Sequence, residues 1–220
     1  MIMRNPSVPD SSDHFRKRIF RLDVIAWAVL GVLAALAVLA AQDIASGAER
    51  TFMVWLHGFS AAWVDDVALT ASFVGNVPFM MVMGLAIGLF LAYRRRLDEA
   101  VRAAAAVVLA VLTTSALKAL IMRPRPDLWP QLANETNWSF PSGHATGSAA
   151  VAIALAVLAW NSRYRWPVVI AGAVFTVVVS WSRLYLGVHY PTDIIGGWCV
   201  AFLWAYYMWR RNYVRQHPKK

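Results

Sequence analysis

Six long apolar runs divide this chain, and the charged residues are almost confined to the connections between them. A membrane-crossing helix takes about 20 apolar residues at a rise of about 1.5 Å each. The runs are continuous rather than alternating in polarity, which favours helices over the strands of a membrane barrel. The sequence therefore predicts an all-α integral membrane six-helix bundle, with spans at residues 24–41, 67–93, 101–121, 144–160, 167–183 and 194–209.

The composition excludes an ordinary soluble domain. Hydrophobic residues make up 59% of the chain and charged residues 15%, whereas soluble proteins average about 45–50% and 25%. The net charge of +9 does not indicate nucleic-acid binding, because the basic residues lie between the apolar runs, as in a protein that contacts membrane lipids. The first run is longer than the core of a signal peptide, so we expect a retained anchor.

The positions of lysine and arginine predict the orientation. Basic residues cluster in the two tails and in the even-numbered connections, for example at Arg94, Arg95 and Arg96. All of these segments lie on one face of the bundle, which the positive-inside rule makes cytoplasmic. Both termini then lie in the cytoplasm. We expect a cytoplasmic N-terminal tail, a six-span membrane domain and a basic cytoplasmic tail at residues 1–23, 24–209 and 210–220.

Three blocks meet on the opposite, extracytoplasmic face: Lys118 to Pro126, Pro141 to His144, and Ser182 to Asp193. Charged residues at the ends of apolar segments are costly and usually functional. Lys118, Arg125 and Arg183 offer the donors that surround phosphate oxygens and stabilise their charge. An alternative is that Arg123 and Arg125 contact lipid headgroups.

The second block has the features of a helix N-terminus that binds an anion. Ser142 is a good N-cap, and Gly143 lets the backbone approach a ligand closely. The free amides at such a terminus attract negative charge. The same residues fit an ordinary capped helix start followed by a histidine, and both interpretations stay open.

Two histidines supply candidates for nucleophile and proton donor. His189 precedes Asp193 by four residues, and a carboxylate there would fix the tautomer of the imidazole and stabilise its cation. His144 follows the second block's glycine. The two histidines and the aspartate can also be read as metal ligands, but the surrounding cations disfavour a divalent ion, so we expect neither metal nor other cofactor.

The segment at residues 51–63 is rich in aromatic residues and too short to cross a membrane. It is typical of a helix lying in the interface. Either it anchors the protein there or it guides a lipid headgroup, and both interpretations stay open. We expect no chemical role for His57, and we expect Trp129 to anchor the loop that carries it.

Together the blocks resemble the type 2 phosphatidic acid phosphatase family. Its pattern is Lys, six residues and Arg-Pro; then Pro-Ser-Gly-His; then Ser-Arg, five residues, His, three residues and Asp. Residues 118–193 match every position. The resemblance implies that His189 attacks phosphorus, that Asp193 orients it and that His144 protonates the leaving oxygen. The implied phosphate ligands are Lys118, Arg125, Ser142, Gly143 and Arg183, with no metal.

The resemblance also implies a lipid phosphate as substrate, in a bacterial cytoplasmic membrane with the site facing the periplasm or cell exterior. Undecaprenyl pyrophosphate is the first candidate. Phosphatidylglycerol phosphate and phosphatidic acid are alternatives. A lipid phosphotransferase, a catalytically silent scaffold and a transporter are the competing classes of function.

Overall fold

Eight α-helices and no strands are found in the part of the chain that the computed structural model describes, residues 11–44, 46–130, 132–133 and 135–215. The all-α prediction is confirmed. Residues 1–10 and 216–220 of the predicted tails lie outside the described residues. The helices are α1 (Ser11–Ala41), α2 (Ser46–His57), α3 (Ala62–Val74), α4 (Val77–Tyr93), α5 (Leu97–Ile121), α6 (Gly143–Ala159), α7 (Arg165–Tyr185) and α8 (Pro191–Arg215).

The predicted span at residues 67–93 needs correction, because it is two helices bent by 49°. The side-chain oxygen of Asn76 accepts a hydrogen bond from the Phe79 amide at 2.7 Å and so caps the start of α4. Pro78 follows in the first turn, where a backbone N–H would have no partner within the helix, so proline loses no hydrogen bond there. A local helix start therefore interrupts a run whose composition is apolar throughout.

The other predicted spans correspond to single helices. By length and hydropathy, α1 from Phe20 onward, α5 and α7 can each cross a membrane, and α3 with α4 can form a fourth, broken span. These elements mark an integral membrane protein. With α6, which is apolar but has only 17 residues, and α8 they match the six predicted runs. The short α2 is the additional helix, and it begins before the predicted interfacial segment.

α6 is the central helix of the bundle and packs against α5, α7 and α8. Its sequence is dominated by small residues, and Ala145, Ala149 and Ala150 are buried. Small side chains let membrane helices approach one another closely. At Gly147 an added Cβ would lie 3.0 Å from Cγ of Met80, so α4 is also in direct contact with this helix.

Two glycines bring the start of α8 against the start of α6. A Cβ at Gly196 would lie 2.7 Å from the ring of Phe140. One at Gly197 would lie 2.8 Å from the carbonyl oxygen of Ser142. The Ser142 amide in turn donates to the Asp193 carbonyl at 3.0 Å. The second and third sequence blocks are thus joined through their backbones.

The connection from α7 to α8 is short and buried. It runs from Leu186 to Tyr190, and Gly187 adopts a φ of 71°, which favours glycine. A side chain there would also strike the indole of Trp129, 2.8 Å away. Trp129 stacks on His57 with ring centroids 4.0 Å apart, so both side chains pack α2 and the loop after α5 against this turn.

The two ends of the bundle differ in charge. The three sequence blocks lie at one end, where α5 and α7 finish and α6 and α8 begin. The opposite end holds the basic connection between α4 and α5 and that between α6 and α7. Asp23 of α1 accepts hydrogen bonds there from Arg210 of α8, at 2.7 and 2.9 Å. The first and last described helices therefore meet at the basic end.

Candidate active site

A cavity of about 350 Å³ opens at the end of the bundle where the three blocks meet. Five of the eight predicted site residues line it, namely Lys118, Arg125, Gly143, His144 and His189. The remaining three, Ser142, Arg183 and Asp193, are buried and do not line it. Glu135 and Asn137 add polar groups, and the other side is formed by apolar and hydroxyl side chains of α4 and α5: Val77, Pro78, Val111, Thr114 and Ser115.

His189 is held at both ring nitrogens. Its Nδ1 lies 3.3 Å from Oδ2 of Asp193, and its Nε2 lies 3.2 Å from Nη1 of Arg125. A carboxylate only accepts hydrogen bonds and a guanidinium only donates them. The contacts therefore assign the proton to Nδ1 and leave the lone pair of Nε2 on the side of the cavity, which is the tautomer a nucleophilic imidazole needs.

The surroundings of His189 keep its imidazole neutral. Burial lowers the pKa of His189 well below its usual range, and the positive charges of Arg125 and Lys118 lower it further. Both effects penalise the protonated form. The ring is only 1% exposed, so solvent does little to weaken these effects.

Three cations from separate elements converge around the cavity. Lys118 near the end of α5 donates to the carbonyl oxygens of Trp138 and Ser139. Arg125 donates to the Val188 carbonyl at 2.6 Å. Arg183 near the end of α7 donates to the hydroxyl of Ser72. The backbone and hydroxyl acceptors orient these side chains without neutralising them, so the site carries excess positive charge.

Glu135 is the carboxylate that faces these cations. One of its oxygens accepts from Nη2 of Arg183, and the other lies 3.3 Å from Nη2 of Arg125. The prediction did not include this residue, because it lies in a loop and outside the three blocks. Its carboxylate binds the same guanidinium groups that are predicted to bind phosphate.

Ser142 and Gly143 form the start of α6. The Ser142 hydroxyl accepts from the Ala145 amide at 3.5 Å, so this side chain is a helix cap, as expected, and it does not line the cavity. Gly143 does line it, and an added Cβ would lie 3.0 Å from the Val77 side chain. The predicted phosphate contact of Ser142 stays a prediction, whereas Gly143 and His144 present the first turn of α6 to the cavity.

Asp193 is satisfied on every side. Its Oδ2 accepts from the Tyr190 amide at 2.8 Å and from the Ser139 hydroxyl. Its Oδ1 accepts from Nη1 of Arg123 at 2.7 Å. Ser139 is a second residue that the prediction missed. It directly precedes Phe140 and the second block, and its serine carries no signal of its own in the sequence.

Arg123 does not reach a lipid headgroup, and that alternative is corrected. Its side chain is buried between the carboxylates of Asp193 and Glu49, at 2.7 and 2.6 Å. Glu49 lies on α2, far from the blocks in the sequence, and was also missed. The only signal was an acidic residue next to Arg50, just before the aromatic segment at residues 51–63.

Among the described residues, no group of three or more histidine, cysteine, aspartate or glutamate side chains is placed to hold a metal ion. The carboxylate oxygens of Asp193 already accept hydrogen bonds from Arg123, Ser139 and a backbone amide. Cys199, the sole cysteine of the chain, is buried in α8. The donor set at the cavity is cationic and suits an anion.

A sequence profile of the PAP2 superfamily matches residues 99–216, which is more than half of the chain and includes all three blocks. The chain belongs to the PAP2 superfamily. Relatives in this family include phosphatases that act on lipid phosphates and diphosphates, and the chain is an integral membrane phosphatase of the PAP2 type.

Two curated PAP2 relatives cover about two thirds of the chain. Phosphatidylglycerophosphatase B of Bacillus subtilis (strain 168) is 32% identical over 146 residues, 64% of this chain and 71% of the relative. The putative undecaprenyl-diphosphatase YbjG of Escherichia coli (strain K12) is 30% identical over 143 residues, 63% of this chain and 68% of the relative. A crystal structure of a transmembrane PAP2-type phosphatidylglycerolphosphate phosphatase from Bacillus subtilis has a TM-score of 0.74 at 24% identity, covering 88% of this chain and 98% of that one. This chain shares the fold of that structure.

Proposed function

We propose that this PAP2 phosphatase hydrolyses a lipid phosphate or diphosphate through a phosphohistidine intermediate on His189. The observation that carries the proposal is the placement of this imidazole. Its Nδ1 faces Asp193 at 3.3 Å, and its Nε2 lies beside Arg125 at the cavity wall. A neutral imidazole oriented by a carboxylate and set among cations is suited to attack a phosphoryl group.

In the first step, the Nε2 lone pair of His189 attacks phosphorus and the bond to the lipid oxygen breaks. The protonated form of His144 gives its proton to that oxygen, and Asp193 stabilises the positive charge that develops on the ring of His189. In the second step, water attacks the phosphohistidine, the N–P bond breaks and His144 takes up the water proton. Inorganic phosphate leaves, and His189 is restored.

Lys118, Arg125 and Arg183 would hold the phosphate oxygens in both steps. Their guanidinium and ammonium groups match the charge that a phosphoryl group spreads over its equatorial oxygens. The amides at the start of α6, at Gly143 and His144, would add donors on another side. Glu135 would have to give up Arg125 and Arg183 when phosphate enters.

The apolar side of the site supports a lipid substrate. The cavity is lined there by residues of α4 and α5, and a second cavity of about 270 Å³ lies farther along the same helix pair. Its lining consists almost entirely of apolar side chains, including Met81, Leu85 and Val108. A hydrocarbon chain attached to the phosphate would follow this pair of helices into the membrane.

The candidate substrates differ in the group next to the phosphate. We rank undecaprenyl pyrophosphate first, and phosphatidylglycerol phosphate and phosphatidic acid follow. The names of the two relatives support the first two of these substrates. We further propose that the site faces the periplasm or cell exterior, because the basic connections lie at the opposite end of the bundle.

The test is phosphate release by detergent-purified protein in the presence of EDTA, with wild type beside His189→Ala. The three candidate lipids are compared by kcat/KM. Release by the wild type only is the expected result, and the ranking names the preferred substrate. Full activity of His189→Ala would remove the proposed nucleophile. Inhibition by EDTA that a divalent metal reverses would favour the metal alternative, and labelled phosphate recovered on another lipid or a sugar would favour a phosphotransferase.

A further inference from the structure

Glu49 and Arg123 form a buried charge pair on the far side of Asp193 from His189. Nη2 of Arg123 donates to Oε2 of Glu49 at 2.6 Å, and Nη1 donates to Oδ1 of Asp193 at 2.7 Å. The side chain of Arg123 is fully buried, and that of Glu49 is 8% exposed. One guanidinium thus bridges a carboxylate of α2 and the carboxylate that orients His189.

The second oxygen of Glu49 holds the start of α8. Oε1 accepts from the backbone amide of Thr192 at 2.8 Å and from its hydroxyl at 2.7 Å. Thr192 directly precedes Asp193, and its hydroxyl also accepts from Nη1 of Arg123 at 2.7 Å. Glu49 therefore fixes both the cation that binds Asp193 and the backbone next to Asp193.

The neighbouring residue of α2 braces the other side of the same turn. Arg50 donates to the Tyr190 hydroxyl at 3.2 Å. The Tyr190 ring packs against the guanidinium of Arg123, whose central carbon lies 3.8 Å from the ring centroid. His189 and Asp193 are therefore flanked by two residues, Tyr190 and Thr192, that are both tied to α2.

The charges of this cluster affect the attack on phosphorus. The ring of His189 becomes positive as its Nε2 bonds to phosphorus, and Asp193 stabilises that charge. Arg123 alone would oppose it, since a buried cation beside Asp193 offsets the negative charge of the carboxylate. Glu49 neutralises Arg123, so that Asp193 keeps its orientation without losing its electrostatic effect on His189.

We propose that Glu49 is a positioning residue for the phosphoryl-transfer step, acting on His189 through Arg123 and Asp193. This inference rests on the proposed function. Glu49 is not among the residues that line the cavity and lies outside residues 99–216, which the family profile matches. It would set the rate of the chemical step and leave phosphate binding by Lys118, Arg125 and Arg183 unchanged.

The test compares wild type with Glu49→Gln and with Glu99→Gln, whose glutamate pairs with Arg96 at the surface. For each protein we measure kcat and KM on the best lipid substrate, the inhibition constant of inorganic phosphate, and Tm. We expect kcat of Glu49→Gln to fall about tenfold, the lower end of the loss seen when a hydrogen-bond partner of a metal-ligating side chain is removed. KM and the phosphate inhibition constant should change by less than about twofold, because the phosphate ligands are intact. Glu99→Gln should match the wild type throughout.

If Glu49→Gln does not fold, Glu49→Asp serves as the second variant. It keeps the charge, but its shorter side chain reaches either Arg123 or Thr192 and not both, so kcat should fall severalfold with the same inhibition constant for phosphate. Wild-type kcat in the folded variant would overturn this inference and leave the proposed function standing. A joint loss of kcat, phosphate binding and Tm would overturn it too, by indicating a purely structural role. An inactive wild-type protein would overturn the proposed function and this inference with it.

Discussion

At the scale of single residues, the carboxylate of Glu135 faces the three cations around the cavity. Glu135 binds Arg125 and Arg183, the groups expected to hold phosphate. A phosphate oxygen and a carboxylate oxygen make the same hydrogen bonds to a guanidinium. If these arginines hold phosphate as proposed, an incoming phosphate would compete with the Glu135 carboxylate for them.

We predict that Glu135→Gln binds inorganic phosphate more tightly, because the amide competes less well than the carboxylate for the two arginines. The measurement is the inhibition constant of inorganic phosphate in the lipid-phosphatase assay, and it should fall severalfold. Glu99→Gln is the matched control. Weaker inhibition by phosphate in Glu135→Gln would indicate that the carboxylate orients the arginines rather than competing with the ligand.

The pH dependence follows from His189. Burial first, and then the positive charges of Arg125 and Lys118, lower its pKa well below 6.5. A histidine with a lowered pKa stays neutral to a lower pH, so the proposed nucleophile remains available where an ordinary histidine would be protonated. The acid limb that His189 contributes to kcat/KM should therefore lie below pH 6.5.

Arg125→Gln removes the cation nearest to His189 and should raise the pKa of this histidine. We predict that the acid limb of kcat/KM moves to higher pH in this variant, whatever the loss of rate. Arg163→Gln, at the opposite end of the bundle, should leave the limb where it is. A shift of the limb to lower pH in Arg125→Gln would contradict the assignment of the limb to His189.

The residues that sequence alone identified share one property, namely that each belongs to a block with a recognisable spacing. Glu49, Glu135 and Ser139 do not. They reach the site only because α2 packs beside the turn before α8 and because the loop after α5 folds back over the cavity. The sequence left lipid-headgroup contact open as an alternative for Arg123 for the same reason, since its partners Glu49 and Asp193 come from distant segments.

At the scale of helices, the contact between α6 and α8 decides whether the blocks meet. At Gly197 an added Cβ would lie 2.8 Å from the Ser142 carbonyl oxygen and 2.9 Å from Oγ1 of Thr146. The first of these atoms is backbone and has little room to move. We predict that Gly197→Ala forces α8 away from α6 and displaces Asp193 from His189.

Gly197→Ala should lower the free energy of unfolding by about 1–3 kcal/mol, as overpacking does elsewhere, and should lower kcat as well. The measurements are Tm in detergent and phosphate release. Gly31→Ala on α1 is the control, because no atom lies within 4 Å of its added Cβ. Wild-type stability and rate in Gly197→Ala would mean that the helices adjust without moving the site.

The helical class and the positions of the six apolar runs were predictable, because a continuous run of that length has few other solutions in a membrane. The break between α3 and α4 was not predicted. Asn76 and Pro78 carry a helix-start signal, but their neighbours are apolar on both sides, and hydropathy averages over such a signal. The start of α2 was missed because its first turn is polar and lies before the aromatic segment that marked the helix in the sequence.

At the scale of the whole molecule, charge separates the two ends of the bundle. The basic connections near Arg95 and Arg163 and the Asp23–Arg210 pair lie at one end, and the cavity lies at the other. The positive-inside rule then predicts a cytoplasmic basic end. A single cysteine introduced at Arg163 in a Cys199→Ala background should react with a membrane-impermeant thiol reagent only after cells are opened.

A cysteine introduced at Leu132, in the exposed loop near the cavity, is the matched comparison. It should react in intact cells, provided that the outer envelope admits the reagent. The reverse labelling pattern would indicate the opposite orientation, with the site facing the cytoplasm.

The buried turn between α7 and α8 has a mechanical consequence. Leu186, Val188, His189 and Tyr190 are each no more than 1% exposed, and two helices hold the turn at its ends. His189, the proposed nucleophile, therefore has little room to move, and we expect the loop after α5 or the α4–α5 pair to move when a lipid enters. We expect the amides of this turn to exchange with deuterium far more slowly than those of the loop. His189 would then stay in place during turnover, and the substrate side of the cavity would supply the motion.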